Sequence, residues 1–232
     1  MMELIEFRNL SKNYGAKQAL IDINLKIEKG KIYGLLGPNG SGKTTLIKII
    51  NDLLQPSSGE ILVKGKEPGI ESKKIISYLP ERTYLNMNMK VSELIQFFKD
   101  FYQDFDEKKA LKLLNKLKIN ENDKLKNMSK GTKEKVQLVM VMSRKADLYI
   151  LDEPIGGVDP ASRDYILDTI LTNFNEGSSI IICTHLIADI EKILDQVIFI
   201  NQGKIVLNED ADTIRKKKKT TIDKLFREEF KC

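Results

Sequence analysis

Long apolar runs are missing from this chain. None reaches the roughly 18 residues that a bilayer-spanning helix needs, so no membrane crossing of its own is expected. The start, Met1-Met-Glu-Leu-Ile-Glu6, carries acids early and no basic cluster, so no secretory leader is expected either. Cysteine is scarce. Cys183 and Cys232 are the only two in 232 residues, too few for a disulfide framework. Cys183 lies in the apolar run Ile180-Ile-Ile-Cys183, which suits a buried free thiol in a reducing compartment. The formal net charge is only +5, which gives no argument for nucleic acid, and no nucleic-acid partner is expected. Internal repeats are lacking. Histidine occurs once, at His185.

What is present is an ordinary globular balance, 41% hydrophobic and 31% charged, in a chain long enough for one large core. Its most informative stretch is Gly37 to Thr44, GPNGSGKT. An apolar run of strand length, Lys31 to Leu36, precedes it, and Thr45 to Ile50 follows with helical spacing. Glycines at a strand-to-helix junction form a phosphate-binding loop. A helix start offers unpaired N–H groups and the positive end of its dipole. Gly37, Gly40 and Gly42 allow backbone angles that bring several N–H groups onto one anion. Pro38, Asn39, Ser41 and Thr45 complete the expected nucleotide contacts. Lys43 is expected on the β- and γ-phosphates, and the Thr44 hydroxyl on Mg2+. No Asn-Lys-x-Asp guanine-reading motif follows, which argues against a GTPase.

Taken in order, Glu3 to Arg8 alternates like a half-buried strand, Asn9 to Gly15 reads as a turn-rich break, and Gln18 to Ile27 as a second strand. Further strands are expected at Glu60 to Lys64 and Ile75 to Leu79, the latter stopped by Pro80. The character then turns helical: Val91 to Tyr102 with Ser92 as a cap, Asp106 to Leu117, and a helix opened by Ser129. The α/β alternation resumes with a strand at Leu148 to Leu151, a helix at Ala161 to Phe174, a strand at Ser179 to Cys183 and a helix at Leu186 to Leu194. A hairpin is expected to turn at Asn201 to Gly203. The boundaries are therefore 1–210 for the main domain, with a helical insertion at about 85–145, and 211–232 for a charged helical tail. The tail's basic run, Arg215 to Lys219, reads first as a solvated face and second as a contact for anionic lipid.

A second chemical signal is Leu148-Tyr-Ile-Leu-Asp-Glu-Pro154. An apolar strand ending in an acid suits a nucleotide-bound Mg2+, the role of Asp152. Glu153 follows, where it can polarise a water against the γ-phosphate.

With both signals the chain resembles the nucleotide-binding subunit of an ATP-binding cassette (ABC) transporter, from Glu3 to about Leu207 and in the family's motif order. The glycine loop is similar to the family's Walker A, and Leu151 to Pro154 to its Walker B and catalytic glutamate. Gly157-Val-Asp159 resembles the D-loop, Thr184-His185 the switch histidine, and Tyr14 the aromatic residue that stacks on adenine. Two motifs depart from the common form. Glu81 in Tyr78-Leu-Pro-Glu81 stands where the family usually has glutamine, a charged candidate for Mg2+. Met128-Ser-Lys-Gly-Thr132 stands where LSGGQ is usual, keeping Ser129 and Gly131 for phosphate and replacing the rest with Lys130 and Thr132. This combination is similar to a Gram-positive subgroup of ABC-2-type exporter ATPases handling antimicrobial peptides, lantibiotics and peptide toxins.

The resemblance implies an α/β fold: a P-loop NTPase core with a mixed sheet and flanking helices, an N-terminal antiparallel β subdomain and an inserted α-helical subdomain. It implies ATP and Mg2+ as cofactors, Glu153 and His185 as catalytic residues, and Thr44, Glu81 and Asp152 at the metal. It further implies a dimer of two copies with ATP sandwiched against Ser129, Gly131 and Asp159 of the opposite copy. A separate transmembrane permease would hold the pair at the cytoplasmic face of the cell membrane. An importer ATPase, or a non-transport ABC ATPase acting on ribosomes or DNA, stands as the alternative; the latter usually needs two cassettes or a long coiled-coil insertion.

Overall fold

The computed structural model describes residues 3–217 and 219–230, with the backbone alone at 160–162. Cys232 and Lys218 of the expectations above fall outside it.

Two sheets organise the chain. A three-stranded antiparallel sheet is formed by β1 (Glu3–Tyr14), β2 (Lys17–Glu28) and β4 (Ser58–Val63), in the order β2-β1-β4. The second sheet has six strands in the order β5-β6-β7-β3-β8-β9. These are β3 (Ile32–Leu36), β5 (Ile76–Leu79), β6 (Leu148–Asp152), β7 (Ser179–Cys183), β8 (Gln196–Asn201) and β9 (Lys204–Asp210). β5, β6, β7, β3 and β8 run parallel, and β9 returns antiparallel on β8. Every residue of β6 and β7 is buried. That is why their sequences, LYILD and SIIIC, read as unbroken runs: a parallel sheet is covered on both faces.

The break expected at Asn9 to Gly15 is not there. β1 continues to Tyr14 through register shifts against β2 after Phe7, Leu10 and Lys12. Asn9 takes a positive φ of 48°, and its N–H finds the Asn24 side chain at 2.9 Å. The turn-forming residues are spent on bulges rather than on a loop. The hairpin at Asn201 to Gly203 forms as expected, pairing Asn201 with Lys204.

The helical insertion is a separate packing unit. α3 (Val91–Phe101), α4 (Glu107–Lys116) and α5 (Lys130–Met142) enclose their own apolar cluster, with Leu94, Phe98, Leu114, Val136 and Met140 at its centre. On α3 the buried set is Val91, Leu94, Ile95 and Phe98, a helical stripe. Ser92 is not its cap. The cap position is Lys90, whose N–H donates to Glu93 at 2.7 Å, leaving Ser92 inside the first turn. Asp106 caps α4 by accepting from the Lys109 N–H, and Ser129 caps α5 by accepting from the Thr132 N–H. Besides the Ser77 hydroxyl of β5, which donates to the Val141 carbonyl of α5 at 2.9 Å, a buried arginine ties this unit to the sheet. Arg144, 3% exposed, donates to both Asp104 carboxylate oxygens (3.0 and 3.1 Å) and to the carbonyls of Lys74 (2.7 Å) and Ile76 (2.5 Å). Its guanidinium lies 3.9 Å from the Tyr102 ring centroid.

The remaining helices cover the large sheet. They are α1 (Lys43–Ile50), the short α2 (Ile70–Ile75), α6 (Pro160–Asn173), α7 (Ile187–Ile190), α8 (Ala211–Lys217) and α9 (Ile222–Phe230). The helix expected over Leu186 to Leu194 is four residues of α7 and then a 3-10 turn, Glu191–Ile193. Arg215 explains the stop: its guanidinium donates to the carbonyls of Glu191 and Leu194, so these need no further helical turn. Arg215 is thus turned inward rather than lying on a solvated face. α9 lays Phe226 and Phe230 on Phe199 of β8, with ring centroids 5.5 and 5.7 Å apart.

Candidate functional site: a nucleotide cleft at the strand ends

β3 sits beside β7, and β7 beside β6, so three strands deliver their carboxyl ends to one place. This is where open α/β sheets bind ligands. Each strand end carries one of the sequence signals: the glycine loop after β3, Asp152 and Glu153 on β6, Thr184 and His185 after β7.

The loop needs its glycines. A Cβ on Gly37 would stand 2.2 Å from the Ile200 carbonyl oxygen, and Gly42 has a φ of 117°. Gly42 is the cap position of α1, with no side-chain cap and no acid in the first turn, so the helix start is left for an anion. The Lys43 ammonium folds over the loop, donating to the carbonyls of Gly37 (2.6 Å) and Pro38 (3.1 Å).

A cleft of about 790 Å3 opens here, within the range of small-molecule sites. Tyr14, Asn39, Gly40, Gly42, Lys43, Thr44 and Thr45 line it, and so do Glu81, Asp152, Glu153 and His185. Gly37, Pro38 and Ser41 do not; Ser41 is buried beneath the loop, where its backbone carbonyl accepts from the Gly203 N–H at 2.8 Å. Ser129, Gly131 and Asp159 also stand outside it, although Lys130 and Lys133 of α5 reach its wall. A Cβ on Gly131 would meet nothing within 4 Å, so packing inside this chain does not explain that glycine.

The cleft wall carries both basic and acidic side chains, and the buried acid among them is Asp152. Burial, then the negative charges of Glu153 and Glu81, push the Asp152 carboxyl up to about 6, against the pull of Lys43 and Lys48. Glu153 has a φ of 53°, uncommon for a residue with a side chain, and its N–H donates to the Cys183 carbonyl at 2.7 Å. Its carboxylate oxygen Oε2 lies 3.0 Å from Thr184 Oγ1 and 3.0 Å from His185 Nδ1. Cys183 is a buried free thiol, held protonated chiefly by burial.

For a metal, the candidate donors are the Thr44 hydroxyl and the carboxylates of Asp152 and Glu81. Among the described residues no three acids, histidines or cysteines close into a protein-only cage. A raised Asp152 beside further carboxylates fits Mg2+ carried in on phosphates, which takes only one or two protein ligands.

Sequence reading missed Lys17, Arg82 and Thr83 on the cleft wall. Lys17 and Arg82 each stand near a residue that was singled out, Tyr14 and Glu81, but no spacing rule marks them.

A glycine loop between a parallel strand and a helix, with paired acids at the next-but-one strand end, defines a P-loop nucleotide hydrolase carrying an inserted helical subdomain. The sequence model of the ABC transporter family matches residues 20–156, and the chain belongs to this family. It is the ATP-binding, ATP-hydrolysing subunit of a transporter. It is 32% identical over 211 residues to the lantibiotic transport ATP-binding protein SrtF of Streptococcus pyogenes, covering 90% of this chain and 92% of that one. It is 34% identical over 212 residues to the SkfA peptide export ATP-binding protein SkfE of Bacillus subtilis, covering 88% of each. A solved ATP-binding subunit of an ABC transporter superposes with a TM-score of 0.88 at 28% identity, over 97% of this chain and 98% of that one.

Proposed function

We propose that this chain powers the export of peptides or antimicrobial compounds, working as two copies that close on two ATP molecules. The similarity to lantibiotic-transport and peptide-export ATP-binding proteins supports the cargo class. One observation carries the sandwich: Ser129 and Gly131 sit at the capped start of α5 yet outside the chain's own cleft. Their phosphate-binding geometry is then used on the nucleotide of the second copy, with Asp159 between the sites.

Within each site Tyr14 stacks on adenine, Lys43 and the loop N–H groups hold the phosphates, and Glu153 takes the proton of the attacking water. His185, at 3.0 Å from Glu153, is in reach to link water and γ-phosphate. Mg2+ held by Thr44, Asp152 and Glu81 would neutralise developing charge on the phosphate oxygens. No helix of the described residues is long and apolar enough to cross a membrane. Membrane attachment is therefore assigned to a separate permease. The exposed, stacked Phe97 and Phe101 of α3, with the Glu81 loop, offer it an apolar landing surface.

Light scattering of Glu153→Gln tests the dimer. General-base loss slows hydrolysis by roughly 10²–10⁴, so the variant accumulates as a dimer in ATP and stays monomeric in ADP. Adding Ser129→Arg abolishes the ATP dimer. A variant that is monomeric in both nucleotides, with or without the permease, removes the sandwich. Co-expression with a separately encoded permease tests the partnership: the two co-purify in detergent.

A further inference from the structure

We infer that Thr184 is a positioning residue for ATP hydrolysis, its buried hydroxyl aiming the Glu153 carboxylate at the attacking water. The inference rests on the reading of Glu153 as the base.

The hydrogen bonds leave the hydroxyl one orientation. Thr184 is 1% exposed, so solvent does not compete for it. Its Oγ1 accepts from the Leu186 N–H at 3.1 Å. A hydroxyl has a single proton, and an ionised carboxylate can only accept. The Thr184 proton therefore goes to Glu153 Oε2, 3.0 Å away. Such a bond to a charged acceptor is among the stronger neutral-to-ion contacts.

Glu153 is thereby tied to the exit of β7 at two points. The Cys183 carbonyl takes its backbone N–H, and the next residue, Thr184, takes its side chain. The first tether holds the left-handed backbone turn. The second fixes the direction of the carboxylate, which χ rotations would otherwise leave free. His185 touches the same oxygen, but its side chain is 67% exposed and can leave for a phosphate. Thr184, being buried, cannot follow it. Oε1 takes part in neither contact and is the oxygen turned over to proton transfer. There the water's O–H bond breaks and its proton goes to Oε1. The water oxygen's electron pair forms the bond to the γ-phosphorus, and the pair of the breaking P–O bond leaves with ADP.

A purely structural Thr184 would cap the turn through Leu186 alone. Steady-state ATPase kinetics of the full chain separate the two. Thr184→Val keeps the shape but removes the hydroxyl, so the bond to Glu153 and the acceptor of the Leu186 N–H are both lost. It lowers kcat by about tenfold to a hundredfold, whereas loss of the Leu186 cap alone would lower stability and leave kcat unchanged. The KM for ATP and the ATP dissociation constant stay within about twofold, because the lost contact acts on the chemical step. Thr184→Ser restores kcat. Thr184→Ala gives the same comparison should valine prevent folding. Wild-type kcat in the valine and alanine variants overturns the inference, and so does an equal loss in the serine variant or a rise in KM matching the fall in kcat. Full activity of Glu153→Gln would instead remove the reading of Glu153 as base and the inference with it. An inactive Glu153→Gln beside a fully active Thr184→Val removes the inference alone.

Discussion

The ammonium of Lys43 donates to the carbonyl of Gly37 at 2.6 Å, so the lysine is braced by the loop it serves. An entering phosphate competes with that carbonyl for a charge already held in place. Lys43→Ala removes both the brace and the charge-assisted contact. ATP affinity falls by at least about tenfold, as expected for loss of an ionic hydrogen bond, and hydrolysis stops. Circular dichroism is unchanged, because Lys43 supports no apolar packing. Fluorescent-nucleotide titration checks it, and wild-type affinity would refute the loop assignment.

Glu81 is an exposed acid of the cleft, and its charge helps to raise Asp152. Glu81→Gln removes one negative charge but keeps length and hydrogen bonding. Nucleotide binding persists, while the Mg2+ concentration for half-maximal hydrolysis rises. Glu81→Ala shifts the metal requirement as well and also weakens permease binding. Identical magnesium titrations for wild type and both variants would place Glu81 away from the metal.

Asp152 gives a pH dependence with a definite sign. Its folded value of about 6 lies above the reference of 3.8, so the folded chain holds a proton that the unfolded chain has lost. Without nucleotide and metal, ionisation of this group costs stability as pH rises from about 4 through 6. At neutral pH the cost is about 2–3 kcal/mol. Asp152→Asn escapes it. Urea unfolding in EDTA shows the variant more stable at pH 7.5, with the difference closing towards pH 4, while its MgATP hydrolysis is lost.

Arg144 predicts a different failure. Arg144→Met keeps apolar volume but strands Asp104 and the carbonyls of Lys74 and Ile76. Removing one member of a buried ionic network costs roughly 3–5 kcal/mol. Hydrogen exchange rises first in α3 and α4, which lose their tie to the sheet, and later in β6 and β7. A uniform rise across the chain would refute a joint role.

The sheet was legible wherever burial is two-sided or patterned, as in β6, β7 and the hairpin of β8 and β9. The bulged half of β1 was not, because Asn9, Ser11 and Asn13 are the same residue types as a loop carries. Arg144 was invisible to periodicity, since its partners come from residues about 40 and 70 positions away. In the site, the glycine loop and the acid pair could be read because their chemistry fixes local spacing. Thr184 entered only as the neighbour of His185: its hydroxyl matters through Glu153, 31 residues earlier, and no local pattern encodes that pairing. Ser129 and Gly131 carry the opposite lesson, their signal being local while the use proposed for them lies beyond the single chain.

β3, which leads into the glycine loop, is flanked by β7 and β8. During synthesis it emerges well before both of its neighbours, β7 (Ser179–Cys183) and β8 (Gln196–Asn201). At ribosomal speeds of 5–20 residues per second, the strand waits roughly seven to thirty-three seconds for them. Through that interval Ile32, Leu35 and Leu36 have no strand to pair with. The glycine loop is therefore made well before it takes shape, and a nascent chain truncated before β7 would need a chaperone to keep β3 from pairing elsewhere.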